Sequence, residues 1–389
     1  INNWDDARWL CIHGANLYGN DKITLDRRES WAWDFVDEAH RIADNPHDNQ
    51  LWLEADKPFQ FLAWCYEMSA LTKQGWGYHT RLPVSADGSC NGLQHLSAIL
   101  RDELGGLATN LIPSELPQDI YTQVAEQATQ RIREEDTELG RLCLEFGIDR
   151  KLAKRPVMIV PYSGTKHACR SYIEEAIKDK IKSGTPNVFG DDMFAVTHYL
   201  AGHIWDSISG VIVSARKVMD YVKSVGDVYS SMGKHMEWIT PTGWIVMQQY
   251  SEVQQKRIKT HINGEVVSLS FPKDKKDTVN KQRTGLGSSP NFIHSLDASA
   301  LTRTINKATK VGMQDFAMVH DSYGTHSSNM PTLSNILREE FVSMYEEHDV
   351  LNELRDHAIK TLGTEDVPLP PSMGNLDIRN VLKSDYFFA

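Results

Sequence analysis

Two short segments, far apart in the chain, each lead a strand-like run into an aspartate. The first is Leu82-Pro83-Val84-Ser85-Ala86-Asp87-Gly88-Ser89-Cys90-Asn91-Gly92, and the second is Phe316-Ala317-Met318-Val319-His320-Asp321-Ser322-Tyr323-Gly324. A strand that delivers Asp87 into a Gly-Ser turn exposes both the carboxylate and the Gly88 carbonyl. The second aspartate, Asp321, is then expected to face Asp87 from a neighbouring hairpin. Inside that body lies a cationic run, Arg150-Lys151-Leu152-Ala153-Lys154-Arg155, followed by Tyr162.

A chain of 389 residues is long enough for two or three subdomains with a substantial core. With 41% hydrophobic and 24% charged residues it reads as an ordinary globular protein. No apolar run approaches the ~18 to 20 residues of a membrane helix, so no membrane is expected among its partners. No basic-then-apolar leader opens the chain, but residue 1 is Ile and not Met, so that absence carries no weight. The cysteines Cys11, Cys65, Cys90, Cys143 and Cys169 are odd in number, scattered and without a CxxC pair, which predicts reduced thiols and no zinc ribbon. A net charge of −11 argues against a nonspecific DNA coat. Basic residues nevertheless cluster at 150–155, 256–259, 273–283 and 303–310, and local patches decide phosphate contact. Most of these clusters read as solvated faces. The one at 150–155 stands apart because residues competent for chemistry lie beside it.

Apolar residues at helical spacing predict helices through Leu93, Leu96, Leu100 and Leu104 with a stop at Gly105-Gly106, and through Ile120, Val124, Ala128 and Ile132. Residues 192–225 read as one or two helices, and further helices are expected through Leu296, Leu301 and Ile305 and through Leu333, Leu337, Phe341 and Tyr345. Strand signals are fewer. Residues 82–86 lead into Asp87, and the alternation of 316–321 sets His320 and Asp321 on opposite faces of a strand end. Residues 238–249 read as a hairpin turning at Thr242-Gly243, and 257–269 as a second turning at Asn263-Gly264. Long helices with few, non-repeating strands predict an α+β fold rather than a doubly wound sheet.

The residue types define a chemistry. Hard divalent cations such as Mg²⁺ take oxygen ligands, commonly one or two carboxylates completed by substrate phosphates. Two such ions ~3.5 to 4 Å apart activate an attacking hydroxyl and stabilise a leaving phosphate. Asp87, the Gly88 carbonyl and Asp321 are the candidate ligands. Arg150 and Lys154 share a helical face, with Arg155 following directly, and suit a polyphosphate: Arg by bidentate contact, Lys as a point charge. Lys154 is also placed to protonate a leaving pyrophosphate.

These residues together resemble the single-subunit RNA polymerases of bacteriophages, mitochondria and chloroplasts. Residues 87–95 match that family's motif A. Arg150, Lys154-Arg155 and Tyr162 match motif B, and residues 320–325 match motif C. His13-Gly14-Ala15-Asn16, Thr240-Pro241-Thr242-Gly243, residues 289–297 and the aromatic end Tyr386-Phe387-Phe388-Ala389 match as well. The resemblance implies a right-hand fold: a palm over 1–114 with motif A, fingers over 115–293, and a second part of the palm with motif C and a C-terminal foot over 294–389. It implies DNA-templated synthesis of an RNA product from ribonucleoside triphosphates with two Mg²⁺ ions, in the cytoplasm of an infected host cell. Asp87 and Asp321 are then metal ligands, Lys154 and His320 catalytic, and Arg150, Arg155, Tyr162 and His294 substrate-binding. Gly92, Tyr121, Arg257 and Lys259 face the template, the last two from a promoter- or template-contacting hairpin near 253–271.

Related DNA polymerases carry bulkier or acidic residues where this chain has Gly88-Ser89 and Ser322, so small residues near the sugar favour ribonucleotides. A nucleic-acid-binding module that keeps the fold without catalysis is the reading from another class. Pro156 and Pro161 predict a break in the cationic helix ahead of Tyr162. The family's N-terminal region, thumb and early palm segment do not fit before His13, which implies a fragment, or a split enzyme whose second polypeptide supplies them.

Overall fold

The computed structural model describes residues 1–190 and 192–389. Among the described residues seven strands run in chain order: β1 (Val84–Asp87), β2 (Glu237–Ile239), β3 (Ile245–Met247), β4 (Val253–Ile262), β5 (Glu265–Asp274), β6 (Ala317–Val319) and β7 (Ser322–Thr325). They pair as a three-stranded sheet β1-β7-β6 and two separate hairpins, β2-β3 and β4-β5, all antiparallel. Helices make up most of the remainder, giving the helix-rich α+β architecture the sequence predicts. No described helix is long and apolar enough to cross a membrane.

The three-stranded sheet joins the two aspartate segments. Asp87 pairs with Ser322 and Val84 with Thr325, and the ladder extends one residue further, where the Gly88 amide donates to the Asp321 carbonyl at 3.1 Å. His320 and Asp321 do not alternate along a strand, as the pattern of 316–321 predicts. They form the two-residue connection between β6 and β7, with His320 at φ 55°. A tight hairpin needs a left-handed residue there, and the turn turns both side chains out of the sheet's alternation.

Behind β1, the helix Asn91–Leu100 is buried at every residue, as expected of a helix that is apolar on most of its circumference. It ends at Arg101, which takes the left-handed conformation, and not at Gly105-Gly106. Those glycines lie inside the next helix, Glu103–Ala108. Their role is close approach: a Cβ on Gly105 would meet Ser97 Oγ at 2.4 Å. The apolar stripe Ile120, Val124, Ala128 and Ile132 is buried in Ile120–Glu135, and residues 192–225 resolve into Met193–Val211 and Val213–Ser231. The helix carrying Leu296, Leu301 and Ile305 is longer than its stripe, spanning Lys281–Lys310 with Pro290 inside; Gly285, Gly287 and Pro290 obscure its first half in the sequence. The aromatic C-terminus returns to the sheet. Phe388 bridges Gly88, and the Ala389 amide donates to the Asp87 carbonyl at 3.4 Å.

The first helix, Trp4–Tyr18, packs on Pro58–Gln74 through Gly14. Trp64 is fully buried, and its indole donates to the Leu10 carbonyl at 2.9 Å. A Cβ on Gly14 would stand 2.1 Å from the Trp64 ring. Gly14→Ala therefore trades a helix-propensity gain of ~1 kcal/mol against overpacking of about 1 to 3 kcal/mol or more. Urea denaturation is expected to register a net loss of about 2 kcal/mol. Unchanged or raised stability would contradict this packing.

Candidate active site

Asp87 leaves the end of β1 and Asp321 the turn before β7, and both line one cavity of about 830 Å³. The same walls carry Gly88, Gly92, Tyr121, Lys154, Met158, Tyr162 and His320. A second, smaller cavity of about 270 Å³ adjoins it, sharing Asp87, Gly88, Tyr121 and Lys154 and adding Arg150, Lys22 and Arg28. Both spaces mix charges: the larger sets Asp87 and Asp321 against Lys57 and Lys154, and the smaller sets Asp21, Asp56, Asp87 and Asp119 against Lys22, Arg28, Lys57, Arg150 and Lys154.

The cationic helix is Arg150–Ile159, capped by the Asp149 side chain, which accepts from the Leu152 amide at 3.2 Å. Pro156 does not break it. The proline is buried within the helix, where the loss of one backbone bond is offset by packing. The true end comes later, in the 3-10 turn Val160–Tyr162 with Pro161 at its start. Ser163 is left-handed there, and the Gly164 amide donates to the Ile159 carbonyl at 2.8 Å. Lys154, Met158, Pro161 and Tyr162 consequently line one cavity wall.

Most of the residues singled out in the sequence converge. Arg150 donates from Nε to Asp119 at 2.7 Å and lies over the Tyr121 ring, 5.1 Å from its centroid. Tyr162 stacks on His294 with ring centroids 4.8 Å apart. A Cβ on Gly92 would stand 3.0 Å from the Tyr162 hydroxyl, so glycine there admits the tyrosine. Others lie elsewhere. Arg155 pairs with Glu175 and lies over Tyr172, and neither cavity includes it. Arg257 and Lys259 sit on the β4-β5 hairpin, opposite Ser270 and Ser268, on strands exposed along almost their whole length.

Burial tunes the charges. It pushes Asp321 above the usual carboxylate range, with the Asp87 charge adding to the effect, and lowers Lys154, with Arg150 reinforcing the shift. Burial also raises the Tyr162 hydroxyl to about 12 and lowers His294, whose neighbour His320 adds to the shift. Among the described residues no three or more His, Cys, Asp or Glu side chains cluster into a ready-made cage for an ion. Asp87, Asp321 and the Gly88 carbonyl offer oxygen donors only, which fits a hard cation completed by water and substrate oxygens.

The family model for DNA-dependent RNA polymerase matches residues 3–369. The chain belongs to the DNA-dependent RNA polymerase family. It is 34% identical to the DNA-directed RNA polymerase of Enterobacteria phage T3 and 34% identical to T7 RNA polymerase of Escherichia phage T7, in each case over 98% of this chain and 48% of the relative. It is 32% identical to the mitochondrial DNA-directed RNA polymerase of Mus musculus, over 98% of this chain and 33% of that protein. The chain spans about half the length of the phage relatives it matches.

Three groups in this polymerase-family site had no assigned role in the sequence reading. Lys57 Nζ stands 3.5 Å from Asp87 Oδ2. His13, buried behind β1, is lowered to about 4 by burial and then by Lys57. Asp297, on the Lys281–Lys310 helix, accepts from Asn91 Nδ2 at 2.7 Å and lies 3.9 Å from His95 Nε2. His13 and Asp297 fall within segments that match the family, but only tertiary packing reveals what each one touches. Lys57 precedes a helix remote from every motif and left no sequence signal.

Burial, with Asp321 adding, raises the Asp297 carboxyl to about 6, against the hydrogen bond from Asn91. The folded state therefore holds this proton more tightly than the unfolded chain. Stability is lost as pH rises from the ordinary carboxylate value of about 4 through about 6. At about 1.4 kcal/mol per pH unit, that loss amounts to roughly 2 to 3 kcal/mol. Asp297→Asn lacks it, so the stability difference between variant and wild type should move in the variant's favour between pH 4 and 6 and level off above. A difference independent of pH, measured by urea denaturation, would contradict this ionisation.

Proposed function

We propose that this chain carries the nucleotidyl-transfer centre of a DNA-templated RNA polymerase of the phage type. The observation that supports it most is the β1-β7 pairing, which brings Asp87 and Asp321 to one cavity against the Lys154 face of the cationic helix. In this reading 1–114 and 294–389 form the palm and foot, and 115–293 form the fingers. Asp87, Asp321 and the Gly88 carbonyl hold two Mg²⁺ ions. When bound, these ions lower the pKa of the primer 3′-hydroxyl and offset charge on the pyrophosphate.

The side chains supply the rest. Arg150 grips the triphosphate while braced by Asp119 and Tyr121. Lys154, with its proton held less tightly than usual, donates it to the leaving pyrophosphate. Tyr162, backed by His294, presents a protonated hydroxyl to the ribose, and His320 steadies the primer end. Gly92 and Tyr121 border the template strand. Arg155 reaches the polyphosphate only by leaving Glu175. The β4-β5 hairpin turns its Arg257, Lys259 and His261 face to duplex DNA, where Arg and Lys read guanine edges. A second polypeptide carrying the family's remaining region completes the assembly in this reading.

The test is ribonucleotide incorporation on a primed single-stranded template with Mg²⁺, using the chain alone and with any copurifying polypeptide. Wild type should make RNA. Asp321→Asn should lose on the order of 10³-fold or more, and Lys154→Met ~10² to 10⁴-fold. No incorporation by wild type in either form, with template still bound, would replace this reading with a binding module. Tyr162→Phe should accept deoxynucleotides roughly 2- to 10-fold better relative to ribonucleotides, the worth of one hydrogen bond. An unchanged ratio would remove Tyr162 from sugar selection, and a wild-type preference for deoxynucleotides would make the chain a DNA polymerase.

A further inference from the structure

Among the residues around the two aspartates, Lys57 is placed in a way the proposed mechanism does not use. Its ammonium is 3.5 Å from Asp87 Oδ2, and both side chains are about half exposed, at 52% and 51%. Its backbone is pinned. The Lys57 amide donates to the Leu17 carbonyl at 3.1 Å, the Asp56 amide donates to the Tyr18 carbonyl at 3.2 Å, and Pro58 restricts the residue before it. Only the side chain is free to move. Lys57 lines both the larger and the smaller cavity, so it stands on their shared wall.

The other cations nearby are committed differently. Arg150 is bound to Asp119, Arg28 is bound to Asn16 and two backbone carbonyls, and Lys22 is paired with Asp21 at 3.0 Å. Lys57 alone among these is paired with a carboxylate assigned to metal binding. A divalent cation and an ammonium cannot both occupy the same side of Asp87. A half-exposed ion pair is worth only ~0 to 1 kcal/mol, so displacement costs little. The space open to the displaced ammonium is the smaller cavity, where Asp21, Asp56 and Asp119 stand among Arg150 and Lys154.

We propose that Lys57 is the resident counter-ion of Asp87, holding the place of a divalent cation until one binds and then moving to the substrate polyphosphate. The inference rests on the reading of Asp87 as a metal ligand. A flexible, strongly hydrated point charge suits such an exchange better than a planar guanidinium fixed by two hydrogen bonds.

Binding of Mn²⁺ alone to the full chain, followed by the loss of the free-ion paramagnetic resonance signal, tests this without relying on activity. Wild type, Lys57→Met, Lys57→Arg and Asp87→Asn are compared, each checked for an unchanged melting profile. Lys57→Met should bind Mn²⁺ roughly two- to fivefold tighter at low salt, with the gain shrinking at high salt. Lys57→Arg should stay near wild type and Asp87→Asn should bind more weakly. At saturating Mn²⁺, Lys57→Met should bind a non-hydrolysable nucleoside triphosphate more weakly than wild type. If Asp87→Asn weakens Mn²⁺ binding but Lys57→Met leaves it unchanged or weaker, the counter-ion role is overturned and the metal assignment stands. If Asp87→Asn binds as wild type does, the metal assignment fails and the counter-ion role fails with it.

Discussion

Everything distinctive about this molecule depends on one antiparallel pairing, β1 against β7. It is only four residues long, yet it joins segments separated by most of the chain. Its register decides the chemistry, because a slip of one residue would send the side chains of β1 to the opposite face. Three features outside the ladder hold that register. The Gly88 amide ties to the Asp321 carbonyl, Phe388 bridges Gly88 from the C-terminus, and Gln94 Nε2 donates to the Phe387 carbonyl at 2.9 Å. A short sheet is thereby clamped by a buried helix on one side and the chain terminus on the other.

The clamp also sets the electrostatics. Behind these carboxylates lies a buried layer in which His95, lowered to about 3 by burial, meets the Tyr345 hydroxyl at 2.5 Å and faces Asp297. Asn91, at the start of the buried helix, holds Asp297 with a neutral donor. In front, Asp87 and Asp321 share the larger cavity with Lys154, and Asp87 and Lys154 share the smaller one with Arg150.

Much of this was legible in the sequence, for physical reasons that differ from element to element. The α+β class, the Asn263-Gly264 hairpin and the buried stripe of Ile120–Glu135 follow from periodicity and turn chemistry, both local. The cavity-lining residues Asp87 and Asp321 were recognisable because each sits in a contiguous motif, and Lys154 and Tyr162 because they keep the spacing of a third motif beside Arg150. The misreadings arose where tertiary packing overrode a local rule. Pro156 is tolerated inside its helix because it is buried, and Gly105-Gly106 serve close contact with Ser97 and Leu376 rather than a helix stop. His320 and Asp321 turn instead of alternating because β6 and β7 are joined by those two residues alone. Lys57 and the Asn91–Asp297–His95 cluster were illegible as sites because their partners are remote in sequence.

The central claim is that Asp87 and Asp321 jointly form a cation site facing the Lys154 helix. The most direct measurement is an anomalous difference map from crystals of the chain grown with Mn²⁺ and a non-hydrolysable nucleoside triphosphate. The account predicts manganese within coordination distance of both carboxylates, with the triphosphate extending toward Arg150 and Lys154. Manganese bound elsewhere, or held by one aspartate with the other turned away, would contradict it.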